Sequence, residues 1–336
     1  MTTSTSQPVL TVSVAAYNVE GTIKQALDSV VKADEGQDIE ILVIDDGGSD
    51  QTLAIAQDYE RRFPGQVRAI HKPNAGYGSV INTAIQEGRG RYFRQLDGDD
   101  WYCSEHLAQF VAQLKRTQAD CVVTARLNIN ERTGSSELVD CLPAEISGYH
   151  QLDDVSFTRA VGMHEITYRT ELLQRAGIRL DERCLYTDIE LAYLPLASVQ
   201  TVELLHLPIY CHRVGVNGQS ISPAGVRAHY REHEFVFWRM LATYRSMPGG
   251  EADGRRKLFA QRLADEICGH FHWFCYLTPN RAHRSELQAF NRRLEAECPE
   301  LLAQAQALSD RIYWLRRSHF ALYGLFCRLE AYKQKG

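Results

Sequence analysis

Apolar residues come in short unbroken runs along this chain, separated by stretches in which they recur at helical spacing. Residues 9–16 form one apolar and small run without polar alternation, the pattern of a strand covered on both faces in a parallel sheet. After the turn residues Asn18 and Gly21, the residues Ile23, Ala26, Leu27, Val30 and Val31 follow the period of an amphipathic helix. The unit then repeats. Residues 39–44 predict a second strand ending in Asp45, Asp46 and Gly47, with Ser49 or Asp50 capping a helix that carries Leu53, Ala56, Tyr59 and Phe63. Residues 67–70 predict a third strand, and a glycine-rich loop over 73–78 leads into a helix with Val80, Ile81, Ala84 and Ile85. Residues 92–96 form a fourth strand ending at Asp97, and residues 121–127 a fifth. Strands alternating with helices imply right-handed crossovers and an α/β, mostly parallel, doubly wound sheet with its ligand crevice at the carboxyl ends of the strands. Beyond Leu127 the regularity fails. Short helices are expected over 170–176 and 188–196 and a strand over 199–205, and from Val226 the sequence is helical, broken near Pro248, Pro279 and Pro299.

Composition narrows the function. With 336 residues, 44% hydrophobic and 24% charged, the chain has the make-up of an ordinary globular protein and the length for one large domain or two. A net charge of −5 gives no general attraction to nucleic acid, which is therefore not an expected partner. The nine cysteines are odd in number and never spaced as Cys-x-x-Cys, which fits reduced thiols in a cytoplasmic protein. Residues 1–8 lack the basic start and apolar core of a signal peptide, and no stretch approaches the ~20 apolar residues of a membrane span.

Candidate chemistry lies at the strand ends. Asp97, Gly98, Asp99, Asp100 and Trp101 put three acidic residues after a buried strand, with a glycine where the chain must turn. Carboxylates spaced as Asp-x-Asp suit a hard divalent ion, Mn²⁺ or Mg²⁺, that keeps open positions for phosphate oxygens. The turn Asp45-Asp46-Gly47-Gly48-Ser49 places a second acidic pair after the second strand. With Ala15-Ala16-Tyr17-Asn18 after the first strand and Asn74-Ala75-Gly76-Tyr77-Gly78 after the third, the ordered set resembles the family 2 glycosyltransferases of the GT-A fold over roughly residues 9–222.

The resemblance implies a fold and a set of roles. The expected architecture is a GT-A domain over residues 1–224, nucleotide-sugar-binding over 9–127 and acceptor-binding over 128–224, with a helical extension over 225–336. Ala15 and Tyr17 would line the base pocket, Asp46 would accept the uracil N–H, Asn74 and Gly76 would approach the nucleoside, and Asn82 matches the family's loop asparagine. Asp97 would serve ribose and metal, and Asp99 the metal directly. Two positions depart from the family: Ala16 replaces its proline, and Ile81 stands where many members carry a diphosphate-directed arginine, a charge for which Arg213 and Lys72 are the candidates. Inverting transfer also needs a carboxylate to take the acceptor's proton. Asp188, ending a stretch like the family's Glu-Asp with Thr187 in place of the Glu, is the candidate, and Glu190 is the nearest rival. The pieces Tyr210-Cys211-His212-Arg213 and Ser220-Ile221-Ser222 resemble family segments further on, His212 being within reach of a metal or phosphate but read by preference as a hydrogen-bonded structural residue.

The function so implied is metal-dependent transfer from a nucleotide-sugar, a UDP-sugar by preference, to a saccharide or lipid-linked saccharide acceptor, in cell-surface polysaccharide or glycoconjugate synthesis. Two rivals are weaker. A sugar-1-phosphate nucleotidyltransferase would carry a glycine-rich, arginine-containing loop after Val14, which is missing, and a non-catalytic carbohydrate-binding protein of this fold would have no use for Asp97, Asp99 and Asp188 together. In the tail, Cys268, His270, His272 and Cys275 resemble zinc ligands in spacing, but the neighbours Phe271, Trp273, Phe274 and Tyr276 predict a packed aromatic helix. A last helix over 312–331 mixes aromatics with Arg311, Arg316, Arg317 and Arg328, which suits peripheral contact with an anionic membrane, packing against the catalytic domain or a contact within a homo-oligomer.

Overall fold

A computed structural model describes residues 7–34, 38–215, 222–250 and 253–333. By internal contact the chain divides into two compact units, Met1–Val216 with Asp253–Arg255, and Asn217–Ala252 with Arg256–Gly336.

The first unit is built on one ten-stranded sheet among the described residues. The alternating pattern is realised as β1 (Leu10–Ala16), α1 (Ile23–Val31), β2 (Ile39–Asp45), α2 (Thr52–Arg62), β3 (Val67–His71), α3 (Tyr77–Glu87) and β4 (Tyr92–Asp97). The two-residue β5 (Trp101–Tyr102), α4 (Ser104–Leu114), β6 (Cys121–Asn130), β7 (Ser136–Val139), β8 (Gly148–Gln151) and β9 (Ile166–Arg169) follow. Then come α5 (Thr170–Arg175), α6 (Thr187–Tyr193) and the long β10 (Thr201–Val214). The strand order is β3-β2-β1-β4-β9-β6-β10-β5, with β7 beside β6 and β8 beside β10. All seven β2 residues are buried, including Glu40 within the apolar run and Asp45 at its end. Leu10, Val12, Val14, Ile41 and Val43 pack with Ile23, Leu27 and Val30 of α1 and with Leu107 and Phe110 of α4 in one core.

The sheet departs from the expected one in its second half. The ladders β1·β2, β1·β4, β2·β3 and β6·β10 are parallel, but the four-residue β9 runs antiparallel between β4 and β6. The six long strands therefore share one direction, and the short strands β5, β7, β8 and β9 run against it. The carboxyl ends of β1, β2, β4 and β10 thus meet at one edge of the fold, where the acidic turns stand.

The second unit is helical: α7 (Pro223–Ser246), α8 (Gly254–Phe274), α9 (Arg281–Glu297), α10 (Pro299–Leu308), α11 (Asp310–Arg317) and α12 (Tyr323–Lys333). Its breaks fall at the expected prolines. The last helix is not continuous, however. His319 and Phe320 take positive φ of 48° and 64°, and the Phe320 amide donates to the Leu315 carbonyl at 2.7 Å, closing α11 with a left-handed turn before α12 begins. Neither residue is a glycine, so the sequence carried no stop signal there. The tail cysteines and histidines do not converge: Cys268 donates to the Ala305 carbonyl, His272 bonds Tyr276, and His270 stacks on His233. Among the described residues they form no metal-ligating cluster. All nine cysteines are unbridged, and no helix among the described residues is long and apolar enough to cross a membrane.

Candidate active site

A cavity of about 550 Å³ opens at the carboxyl ends of β1, β2 and β4, and its lining includes Ala15, Tyr17, Asp46, Asn74, Gly76, Asp97 and Asp99. Seven sequence-predicted residues, drawn from four separate turns, are therefore brought together. Tyr17 presents an exposed ring, as a base-stacking residue needs. The turns are locked to one another by backbone: Asp46 N donates to the Ala16 carbonyl at 2.9 Å and Gly98 N to the Ala15 carbonyl at 3.0 Å. A side chain at Gly98 would meet that Ala15 oxygen at 2.6 Å, so only glycine lets the acidic turn lie against β1.

Asp46 is largely consumed inside the protein. Its Oδ1 accepts from Lys72 Nζ at 2.5 Å and from Ala75 N at 3.0 Å, and its Oδ2 accepts from Gly76 N at 2.9 Å. It shapes the glycine loop, and Oδ2 alone keeps acceptor capacity toward the cavity. Lys72 also donates to Pro73 and Ser79, so it does not supply the missing diphosphate charge. Asn82 is placed outside the cavity. Its amide nitrogen donates to the Leu180 carbonyl at 2.9 Å and its oxygen accepts from Leu180 N at 2.8 Å, and it lines a neighbouring cavity with Lys72 and Glu182. Both of its polar atoms are spent on a backbone, which makes Asn82 a brace rather than a donor-binding residue.

That brace belongs to a set that fixes the segment before α6. Arg183 N donates to the Ala75 carbonyl at 2.7 Å, and the Asp181 carbonyl lies so close to Gly78 that an added Cβ would sit 2.0 Å from it. Leu185 reaches the cavity lining. Tyr186 precedes α6 with a left-handed φ of 65°, and Asp188 stands in the helix's first turn, half-buried. Asp188 is thus not the cap of α6. Its charge is felt at Tyr77, a cavity residue whose hydroxyl is pushed well above its usual pKa by burial, then by Asp97, then by Asp188. Glu190 is fully buried and accepts from Asp181 N at 2.8 Å, a structural position that removes it as a rival base.

The acidic turn carries the strongest electrostatic perturbation. Burial raises the pKa of Asp97, burial and the Asp97 charge raise that of Asp99, and burial with the Asp97 charge pushes Asp100 up to about 8. Asp100 is tied in place, its Oδ2 accepting from Tyr210 Oη at 2.7 Å and its Oδ1 from Arg213 N at 2.7 Å. Arg213 bonds the Asp99 carbonyl through Nε at 2.6 Å, lies over the Trp101 ring and pairs with Glu131, so it stands at the turn itself. Ligand atoms of Asp97, Asp99 and Asp100 lie within 4.8 Å of one another, and so do those of Asp100, His164 and His212. Crowded carboxylates that resist ionising together fit a divalent cation, which removes the repulsion. His164 and His212 are stacked, and burial drives both pKa values down to about 3, so both rings are neutral at physiological pH. Arg126 approaches Nδ1 of His164 at 3.2 Å, which favours the Nε2–H tautomer there, so ligation through Nε2 of His164 would require Arg126 to withdraw; Nδ1 of His212 lies between Arg126 at 3.5 Å and Asn128 Oδ1 at 3.4 Å. The carboxylates need no such change.

His212, for which the sequence left a metal or phosphate contact as the lesser alternative, lies beside the acidic turn, and three contributors were missed. Tyr77 Oη donates to Asp97 Oδ1 at 2.5 Å, His164 Nε2 lies 3.8 Å from Asp97 Oδ2, and the buried Arg94 holds His164 in place through its carbonyl. Of these only Tyr77 sat inside a quoted motif. Ser220 and Ile221 lie outside the described residues, and Ser222 caps α7 by accepting from Gly225 N at 3.2 Å.

The sequence profile of "Glycosyl transferase family 2" matches residues 11–170. The match covers just under half of the chain, which over these residues is similar to glycosyltransferase family 2. A relative in Bacillus subtilis, the uncharacterized glycosyltransferase EpsJ, is 28% identical over 227 residues, which span 64% of this chain and 64% of EpsJ. The chain thus covers less than two thirds of that relative's own length. Among solved structures, residues 1–349 of S. aureus TarS in complex with UDP-GlcNAc match with a TM-score of 0.71 at 19% identity, over 97% of this chain and 92% of that one. The mannosyltransferase PcManGT of Pyrobaculum calidifontis, in complex with GDP-Man and Mn²⁺, matches with a TM-score of 0.54 at 15% identity, over 99% of this chain and 89% of that one. At these identities the likeness establishes the fold: a GT-A-like mixed sheet flanked by helices, followed by C-terminal helices.

The raised carboxylates make a pH prediction. Asp100 titrates near 3.8 when unfolded and about 8 when folded, so between these values the folded chain binds more protons and loses stability as pH rises. A divalent cation counteracts this loss. Adding Mn²⁺ should therefore raise the melting temperature more at pH 8 than at pH 5, where protons compete for the carboxylates; an equal rise at both would contradict the assignment.

Proposed function

We propose that this protein is a metal-dependent inverting glycosyltransferase that moves a sugar from a nucleotide-sugar, a UDP-sugar by preference, to a saccharide or lipid-linked saccharide acceptor. One observation carries the reading: four strand-end turns supply Tyr17, Asp46, Asn74, Gly76, Asp97 and Asp99 to a single cavity of about 550 Å³, the size class of small-ligand sites. The uridine preference draws support from the UDP-GlcNAc complex of TarS, and Mn²⁺ or Mg²⁺ from the Mn²⁺ complex of PcManGT.

In this reading Tyr17 stacks on the base, the remaining acceptor capacity of Asp46 takes its N–H, and the Asn74–Gly76 backbone meets the nucleoside. Asp97 and Asp99, with Asp100 beside them, would hold the cation, which when bound would supply positive charge against the leaving diphosphate. Arg213 adds its own charge at the Asp99 carbonyl, and Tyr77 keeps Asp97 oriented through its short hydrogen bond. The acceptor oxygen attacks the anomeric carbon, the bond from that carbon to the diphosphate oxygen breaks with its electron pair on the phosphate, and Asp188 takes the hydroxyl proton. A synthesis role in cell-surface polysaccharide or glycoconjugate follows from the acceptor class. The test is a panel of nucleotide-sugars scored for released nucleotide, with Mn²⁺ and with EDTA. Release from a UDP-sugar that stops in EDTA is expected; release from no nucleotide-sugar under either condition would remove the reading.

A further inference from the structure

The last helices leave an apolar surface that the transfer reaction does not use. Ten large apolar side chains are exposed among the described residues, and six of them, Leu308, Tyr313, Trp314, Leu325, Leu329 and Tyr332, fall within residues 308–332. The other four, Tyr17, Leu138, Tyr149 and Phe235, are scattered along the chain. In α12 the spacing is decisive. Tyr323, Cys327 and Glu330 are buried at i, i+4 and i+7, the Tyr323 hydroxyl donating to the Phe274 carbonyl, so this face is docked within the helical unit. Leu325, Leu329 and Tyr332 repeat at i, i+4 and i+7 on another face, 50%, 50% and 80% exposed. A water-facing helix side does not ordinarily carry such a stripe.

Charge identifies the occupant. Arg311 is paired with Glu330 and Arg316 with Glu295, but Arg317, Arg328 and Lys333 are exposed and take part in no ion pair among the described residues. Arg328 and Lys333 sit in the same helix as the stripe, and Arg317 follows the exposed Tyr313 and Trp314 of α11, where Asp310 is the one exposed acid. Aromatic and aliphatic side chains beside unpaired cations are the chemistry of an interfacial helix on an anionic lipid surface. A second copy of the chain suits the patch less well, because a two-fold contact would gather the unpaired Arg328 and Lys333 of both copies into one interface.

We propose that the α11–α12 surface docks on an anionic bilayer, with Leu325, Leu329 and Tyr332 entering the headgroup boundary and Arg317, Arg328 and Lys333 meeting acidic headgroups. The proposal does not rest on the transfer reaction. The test is sedimentation of the full chain with vesicles of phosphatidylcholine mixed with phosphatidylglycerol, and with phosphatidylcholine alone, at low and high salt. Binding to the acidic vesicles only, weakened by salt, is expected. The triple variant Leu325→Ser, Leu329→Ser, Tyr332→Ser and the double variant Arg328→Glu, Lys333→Glu should each bind about tenfold or more weakly. Both replace exposed residues, so an unchanged melting temperature and circular dichroism spectrum are expected. Failure of the intact chain to bind acidic vesicles at low salt overturns the proposal, as does wild-type binding by both variants. Light scattering that shows a dimer lost in the triple variant, without vesicle binding, would assign the surface to a second copy instead.

Discussion

Asp188→Asn is expected to leave UDP affinity and melting temperature nearly unchanged and to cut sugar transfer by roughly 10²–10⁴-fold, the range for loss of a general base. The substitution keeps the side chain's shape and removes only its ability to take a proton near neutral pH. Its structural role is easily separated from its catalytic one, because the residue that precedes α6 is Tyr186, in a left-handed conformation, and Asp188 lies within the first turn. Glu190→Gln is the control: Glu190 is buried and accepts from the Asp181 amide, so its loss should lower stability while leaving transfer per folded molecule close to wild type. An Asp188→Asn enzyme that transfers at the wild-type rate would remove Asp188 as the base.

Asp99→Ala is expected to damage donor binding and chemistry together, lowering transfer by about 10³-fold or more, the scale of losing a group that stabilises developing charge. Asp97 is held by Tyr77, and Asp100 is held by Tyr210 and the Arg213 amide, whereas Asp99 keeps an edge open to solvent although the turn around it desolvates its carboxylate. Removing it takes away a carboxylate and also relieves repulsion, since the Asp97 and Asp99 charges help to raise Asp100. The variant should therefore fold at least as stably as wild type in the absence of metal. A loss of transfer accompanied by a lower melting temperature in EDTA would point to a structural role for Asp99.

The turns that line the cavity were legible because parallel strands buried on both faces write themselves as apolar runs, and the polar residues that end those runs stand at one edge of the sheet. Tyr17, Asp46, Asn74, Asp97 and Asp99 each follow such a run. The antiparallel β9 was not legible, since four residues are too few to show a period, and with it went His164, which lies in a short turn just before that strand. Tyr77 stood in a motif but its hydrogen bond to Asp97 depends on how α3 meets the end of β4, a matter of tertiary placement. Asn82 illustrates the opposite case. Its position matched a family pattern, while its chemistry is decided by the Leu180 backbone 98 residues away. The division of the last helix at His319 and Phe320 also escaped notice, because neither glycine nor proline marks a left-handed turn that the fold imposes on ordinary residues.

In the proposed function this cavity holds a nucleoside diphosphate through a cation on the Asp97–Asp99 turn. Calorimetric titration of UDP into the intact chain, first with Mn²⁺ and then with EDTA, tests it most directly. Binding in Mn²⁺ that falls at least about tenfold in EDTA is the expected result, with Asp99→Ala weak under both conditions. UDP that binds as tightly in EDTA as in Mn²⁺ would contradict the claim.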